Sequence, residues 1–434
     1  MPKSFAWRLG VTVALGLWLA SSGSRAFAQP AAPSGGTLAW ALTAGDERAY
    51  QDAVNQYNKR HPDAKITLQL FPNDPYKQKL LVAIGAGNPP DLFFNWGGGI
   101  LKSYVDAGYV MDLTAELGKD AAWKKRFFSS VLAAATFGDK LYGVPVNGVQ
   151  PAVLYYNKKV FQEVGVQPPK TWSELLAAIP KFKAKGKALL SVAGADRWTY
   201  LMYAEYLVDR IGGPQVFADI VVGKPDAWSN PAVITAGEMI QTLVKQEAFV
   251  KGYPGVAYGN GQATALLYTG RAGMHLMGTW DYPNILNGQK DFIAKDNLGW
   301  LPFPTVDGGK GNPADVAGNV ANFYSISAKS THKAAAIELL KTDVLSDSNI
   351  DVLLKNGSVP PVLGLEAKLA KMPQAGWLSF VYSIAKSAPS FQLSWDQALP
   401  PAEADALLTN LEQLFLMKIT PKQLADNMNK AMKR

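Results

Sequence analysis

Cysteine is absent from the 434 residues, histidine occurs three times, and no second apolar run of membrane-spanning length follows the first twenty residues. Without a thiol, disulfide frameworks, thiolate nucleophiles, iron–sulfur clusters and cysteine-type zinc sites are excluded. His61, His275 and His332 lie far apart and none is paired at i, i+4, so they read as surface or satisfied core histidines. No H-E-x-x-H, G-x-S-x-G or Walker sequence occurs, which removes the zincin, serine-hydrolase and P-loop signatures. Gly97-Gly98-Gly99 follows a strand-like segment but lacks G-x-G-x-x-G spacing. It frees the backbone to turn beside Trp96, or lets a ligand approach closely. No cofactor, metal or catalytic residue is expected. A dense basic block is missing too: the net charge is +8, but the cations are scattered, as in Lys181, Lys183, Lys185 and Lys187. That pattern reads as solvation and not as a nucleic-acid surface.

What is present is a normal globular apolar fraction of 48% and an unusual 12 Trp. The length allows two or three domains with filled cores. Residues 1–28 read as a signal peptide, with Lys3 and Arg8 in a positive n-region, Leu9 to Ala20 as a short apolar stretch, and Ala26-Phe27-Ala28 as a cleavage site. Cleavage after Ala28 would remove three cations and two Trp, leaving a charge of +5 and ten Trp. A lipoprotein anchor needs a cysteine at that site, so free release into a periplasm is expected.

From Thr37 the pattern alternates strand and helix. Thr37–Leu42, Ala64–Phe71 and Asp91–Asn95 read as strands, separated by helices over Asp46–Arg60 and Tyr76–Ala86. This β-α-β-α-β order implies a parallel sheet with right-handed crossovers. A second α/β block begins near Val153. Thr171-Trp172-Ser173-Glu174 is a capping-box sequence, and Asn230-Pro231 opens another helix. Ala272–Met277, Leu298–Phe303 and Val320–Ser327 read as strands, and the chain beyond Lys333 is mainly helical. Two α/β lobes joined near Gly143-Val144-Pro145 is the simplest architecture.

Four segments, in order, resemble the extracellular solute-binding proteins of sugar ABC transporters, of the maltodextrin-binding type. They are Asn88-Pro89-Pro90-Asp91-Leu92-Phe93-Phe94-Asn95-Trp96, Leu141-Tyr142-Gly143-Val144-Pro145 with Leu154-Tyr155-Tyr156-Asn157-Lys158, Pro168-Pro169-Lys170-Thr171-Trp172-Ser173-Glu174-Leu175, and Gly270-Arg271-Ala272-Gly273-Met274 with Met277-Gly278-Thr279-Trp280. The resemblance implies a two-lobed periplasmic-binding-protein (venus-flytrap) α/β fold of type II, with a multi-crossing hinge and a sugar cleft. It divides the chain into 37–145 plus 300–326 for the first lobe and 147–298 plus 330–434 for the second. It also implies hinge closure on ligand, a carbohydrate ligand, cognate permease subunits as partners, and a monomer.

A pyranose offers apolar C–H faces and a rim of hydroxyls, so its cleft needs aromatic platforms and satisfied polar partners. By position in the matching segments, the platforms implied are Trp280, Trp395, Trp96 and Trp198. Trp40, Trp172 and Trp300 read as packing residues. The polar candidates are Asp46 and Glu47 in the first strand-to-helix loop, Gln150 near the hinge, Asp281 after Trp280, Asn95, Asn319 and Arg197. Each has a plain alternative: Asp46 and Glu47 suit a helix N-terminus, Asp281 suits a cap, and Arg197 suits a surface ion pair. Two other functions share this composition. A secreted glycoside hydrolase would need two carboxyls at a fixed separation, and the same fold could bind a non-sugar solute such as a polyamine or a phosphate ester, an anionic one needing clustered arginines.

Overall fold

The computed structural model describes residues 36–43 and 45–432; the expected signal peptide and its cleavage point after Ala28 lie outside them. The strands are β1 Thr37–Leu42, β2 Ile66–Phe71, β3 Leu92–Asn95, β4 Thr136–Phe137, β5 Lys140–Leu141, β6 Val144–Pro145 and β7 Gln150–Asn157. They continue as β8 Ala188–Ser191, β9 Ala272–Gly278, β10 Leu298–Leu301, β11 Val316–Asn319, β12 Phe323–Ile326 and β13 Phe391–Leu393.

The first sheet has the order β2-β1-β3-β12-β6. Its strands β1, β2 and β3 run parallel, as the alternation predicts, and β12 enters antiparallel between β3 and β6. The Glu47–Arg60 helix crosses from β1 to β2 and buries Ala49, Tyr50, Ala53, Val54 and Tyr57, which share one face at helical spacing. The second sheet has the order β13-β11-β7-β9-β8, with β10 also on β7. β7 buries six successive residues from Gln150 to Tyr155 because neighbours cover both its edges and both its faces. The Trp172–Ala184 helix starts at the capping box read from the sequence: Thr171 and Glu174 satisfy each other's backbone N–H groups.

Three chain segments pass between the sheets. Residues 146–149 join β6 to β7, and 320–322 join β11 to β12. These two lie side by side, with Val146 N donating to Asn322 O at 2.9 Å. The third is fastened beside them where Val149 N donates to Val359 O at 2.8 Å. The two-lobed α/β architecture with a multi-crossing hinge is therefore present.

The lobe boundaries differ from those the resemblance implied. β10 and β11 stay with the second sheet through β7, so only β12 of the 300–326 segment joins the first. Conversely, the helices from Lys333 to Lys355 pack on the first lobe. Arg60 grips Asp343 with two 2.7 Å bonds, and Asn349 Nδ2 donates to Ala49 O at 2.8 Å. A buried carboxylate needs its guanidinium partner, and that pairing holds the helices beside Glu47–Arg60. Among the described residues, no helix is long and apolar enough to cross a membrane. Among them also, no group of three or more His, Asp or Glu could hold a metal ion.

Candidate functional site

The hinge crossings bring four carboxamides together. Gln150 opens β7 opposite Asn319 at the end of β11. Its Oε1 accepts from Asn322 Nδ2 at 2.9 Å and from Asn319 Nδ2 at 3.4 Å. Asn147 Oδ1 accepts from Asn322 N at 3.1 Å, and its Nδ2 donates to Tyr50 Oη at 3.2 Å. All four amides are buried.

Asp46 adjoins this floor from the first lobe. It is buried, and it accepts from Ser358 Oγ at 2.5 Å and Asn356 Nδ2 at 3.3 Å. Burial pushes its carboxyl up to about 6, against the opposing hydrogen bonds from Ser358, Asn356 and Asn147. Glu47 caps locally instead, accepting from Gly45 N at 3.2 Å.

On the second lobe Trp280, Trp198 and Tyr258 form an aromatic corner. The rings of Trp198 and Trp280 lie 5.9 Å apart, and Trp198 meets Tyr258 edge-on at 5.2 Å. Trp198 and Trp280 are half-buried, as a stacking platform must be. The corner is tied to the floor through Thr279, whose N donates to Pro151 O at 3.0 Å and whose hydroxyl donates to Val149 O at 2.9 Å.

The lobes also touch. Lys77 Nζ lies 4.9 Å over the Trp96 ring and 3.7 Å from Asp396 Oδ2 on the other lobe. Burial pushes the Asp396 carboxyl up, and Lys77 pulls it back. Asp196 accepts from Tyr258 N at 2.6 Å. Its carboxyl is raised by burial and by the approach of Asp74 from the first lobe. The Gly97–Gly99 run belongs to this contact. A Cβ at Gly98 would stand 2.6 Å from Gln397 O, and one at Gly99 2.5 Å from Ala398 O. Gly97 and Gly98 take positive φ, as the expected turn beside Trp96 requires, and Gly98 and Gly99 also admit a neighbouring backbone where the sequence had suggested a ligand.

Several expected site residues serve elsewhere. Trp395 is 1% exposed, stacks on Phe217 at 4.5 Å and lines a small apolar cavity of about 20 Å³ with Trp228 and Leu411. Its large apolar area is spent on packing the second lobe, so it is no platform. Asp281 is wholly buried and accepts from Tyr258 Oη at 3.2 Å, Thr264 Oγ1 at 3.0 Å and Asn284 Nδ2 at 3.1 Å. It anchors Tyr258 from beneath. Arg197 pairs at the surface with Asp405 at 2.9 Å and Thr409 at 2.8 Å. Asn95 is engaged internally, donating to Ser325 Oγ at 2.9 Å and accepting from Gly97 N at 3.0 Å. Trp96 is 6% exposed, packed edge-on against Phe94 and Tyr76 and roofed by Lys77.

Asn147, Asn322, Tyr258 and Lys77 escaped the sequence reading. Asn147 follows the Gly143-Val144-Pro145 joint, so an amide beside that joint was an available signal, whereas Asn322 fell inside a segment read as a strand. Tyr258 sits in a loop without periodicity and offered none.

Comparison with known proteins places this geometry. Residues 40–342 match the family described as bacterial extracellular solute-binding protein. The chain is 26% identical to an uncharacterised ABC transporter extracellular-binding protein of Pyrococcus horikoshii, over 74% of this chain and 70% of that one. It superposes on a chitin oligosaccharide binding protein with TM-score 0.82 and 25% identity, covering 92% of this chain and 98% of the other. A structure from work on xylan utilization by Caldanaerobius polysaccharolyticus gives TM-score 0.81 and 28% identity, over 91% and 99% of the two chains.

Proposed function

This chain belongs to the bacterial extracellular solute-binding protein family, and from that premise we propose that it captures a mono- or oligosaccharide between its lobes and delivers it to an ABC permease. The observation that carries the proposal is the junction of the Trp280–Trp198–Tyr258 corner with the buried amide floor of Gln150, Asn319 and Asn322. Rings supply flat apolar surface for C–H faces, and amides supply paired partners for hydroxyls. Trp280 and Trp198 are the platforms, Gln150 and Asn319 the polar contacts, and Asp46 a buried acceptor beside them. The protein acts outside the cytoplasm as a monomer, and its ligand leaves unaltered.

The test is a thermal-shift and calorimetric screen of the purified protein against xylobiose, diacetylchitobiose, raffinose and galactose. A tight ligand raises apparent stability by mass action. One stoichiometric binder, recovered intact after long incubation, is the expected result. Hydrolysed sugar would convert the reading to a glycosidase, and no stabilisation by any neutral sugar would overturn it.

A further inference from the structure

Three polar atoms within the six residues from Asn319 to Tyr324 are buried without a hydrogen-bond partner: Asn319 Oδ1, Asn322 Oδ1 and Tyr324 Oη. This segment is the crossing from β11 to β12, next to Gln150 and Asn147. A buried carbonyl left unmade costs about 1–3 kcal/mol, and such groups are normally satisfied. Asn322 Nδ2 and Asn319 Nδ2 each donate one hydrogen to Gln150 Oε1, at 2.9 and 3.4 Å, and neither reaches these oxygens. The carbonyl oxygens of Asn319 and Asn322 are therefore left as acceptors without a donor. Among the described residues, no lysine or arginine donates a hydrogen bond to Asn147, Gln150, Asn319 or Asn322. The carboxyl joined to the floor is that of the buried Asp46, which Asn147 touches.

We infer that the Asn319–Asn322 crossing is the specificity-determining subsite of the cleft, where the two free carboxamide oxygens accept hydrogen bonds from hydroxyls of an uncharged sugar. This deepens the carbohydrate reading and rests on it. The subsite selects donors. A hydroxyl meets each oxygen as donor, whereas a carboxylate or phosphate oxygen placed there would face acceptors and an acidic neighbour with no cation to balance it. It thus names the ligand class as neutral, with uronates and sugar phosphates rejected. It also assigns discrimination to the hinge, where ligand hydroxyls bond to the segment that turns when the lobes move. A ring lacking the hydroxyl leaves a buried oxygen unpaired, which is how polar sites discriminate most strongly.

The probes are xylobiose and diacetylchitobiose, with the monodeoxy analogues of whichever binds, titrated calorimetrically into wild type, Asn319→Ala and Asn322→Ala. Wild type is expected to lose at least ~10-fold in affinity when the hydroxyl that is read is removed. Each variant is expected to bind the parent sugar at least ~10-fold more weakly, and to show no remaining penalty for its own deoxy analogue. Asn319→Ala is expected to melt at or above the wild-type temperature without sugar, since it removes an unpaired oxygen; a purely structural asparagine would lower it. If a variant fails to fold, the wild-type deoxy series decides alone. Parent sugar bound by both variants within twofold of wild type, or all deoxy analogues bound by wild type within twofold, overturns the subsite while the carbohydrate reading stands. Failure of wild type to bind either sugar or any other neutral sugar defeats both.

Discussion

The indole of Trp280 lies against the backbone of Gly278, so closely that a Cβ on Gly278 would stand 1.9 Å from Cζ3 of the ring. β9 ends at this glycine, and the absence of a side chain there lets the indole fold back over its own strand. Gly278→Ala is expected to displace the ring, weakening sugar binding by at least ~10-fold. The overpacking should also cost about 1–3 kcal/mol of stability. Fluorescence titration and urea unfolding measure the two; unchanged affinity would show that the ring orientation is immaterial.

Variants of Trp280 and Trp395 are expected to separate recognition from packing. Trp280→Ala is expected to reduce affinity sharply while moving the melting temperature little, because the ring is half-buried. Trp395→Ala opens a cavity where its ring stacks on Phe217 and is expected to cost about 3–5 kcal/mol. The folded fraction of that variant should bind sugar normally. The reverse pattern would put Trp395 back in the cleft.

Two buried carboxyls make stability depend on pH. Burial raises Asp46 from 3.8 to about 6 and Glu205 from 4.5 to about 8. A folded-state value above the unfolded one means that the native protein holds the proton longer. Stability is therefore greatest below the unfolded values. It falls as pH rises from about 4 to 6 for Asp46, and on to about 8 for Glu205. For Asp46 the loss is on the order of 3 kcal/mol. Urea midpoints between pH 4.5 and 8.5 should decline in wild type, and Asp46→Asn and Glu205→Gln should each flatten part of the slope. A flat wild-type profile would contradict the assignment.

Asp74 and Asp196 approach each other from opposite lobes, and the Asp196 carboxyl is raised first by burial and then by that approach. The contacted form takes up protons, so sugar affinity is expected to increase as pH falls toward the carboxylate range. Asp74→Asn should strengthen binding at pH 7 and weaken its pH dependence, which titrations at pH 5 and pH 7 will show. Equal pH dependence in the variant would remove Asp74 from that linkage.

Arg60 holds Asp343, which is 1% exposed, with two 2.7 Å bonds, while Arg60 is itself 40% exposed. Arg60→Ala strands the carboxylate and is expected to cost about 1–3 kcal/mol. Solvent screening at the guanidinium puts that below a fully buried pair. The double variant with Asp343→Asn should recover much of the loss. No recovery would mean that the arginine acts through packing.

The parallel order of β1, β2 and β3, the capping box at Thr171 and the core role of Trp40 and Trp172 were legible because each rests on local spacing: apolar period, cap chemistry, strand alternation. Trp280 could be singled out as a candidate platform through a segment of recognisable order. Which tryptophans face a ligand was not, since an indole in a core and an indole on a platform are the same residue; only the packing of Phe217 and Trp228 around Trp395 decides it. Asn147, Gln150, Asn319 and Asn322 lie more than 150 residues apart in two groups, and no periodicity connects them. They meet because β11 pairs antiparallel with β7 where two chain segments cross between sheets. The sequence by itself determined the elements and the lobed α/β class, since those follow from neighbours along the chain. Tertiary structure alone decided which side chains are spent on packing and which acceptors stay free, because burial and partnership depend on what long-range pairing brings alongside.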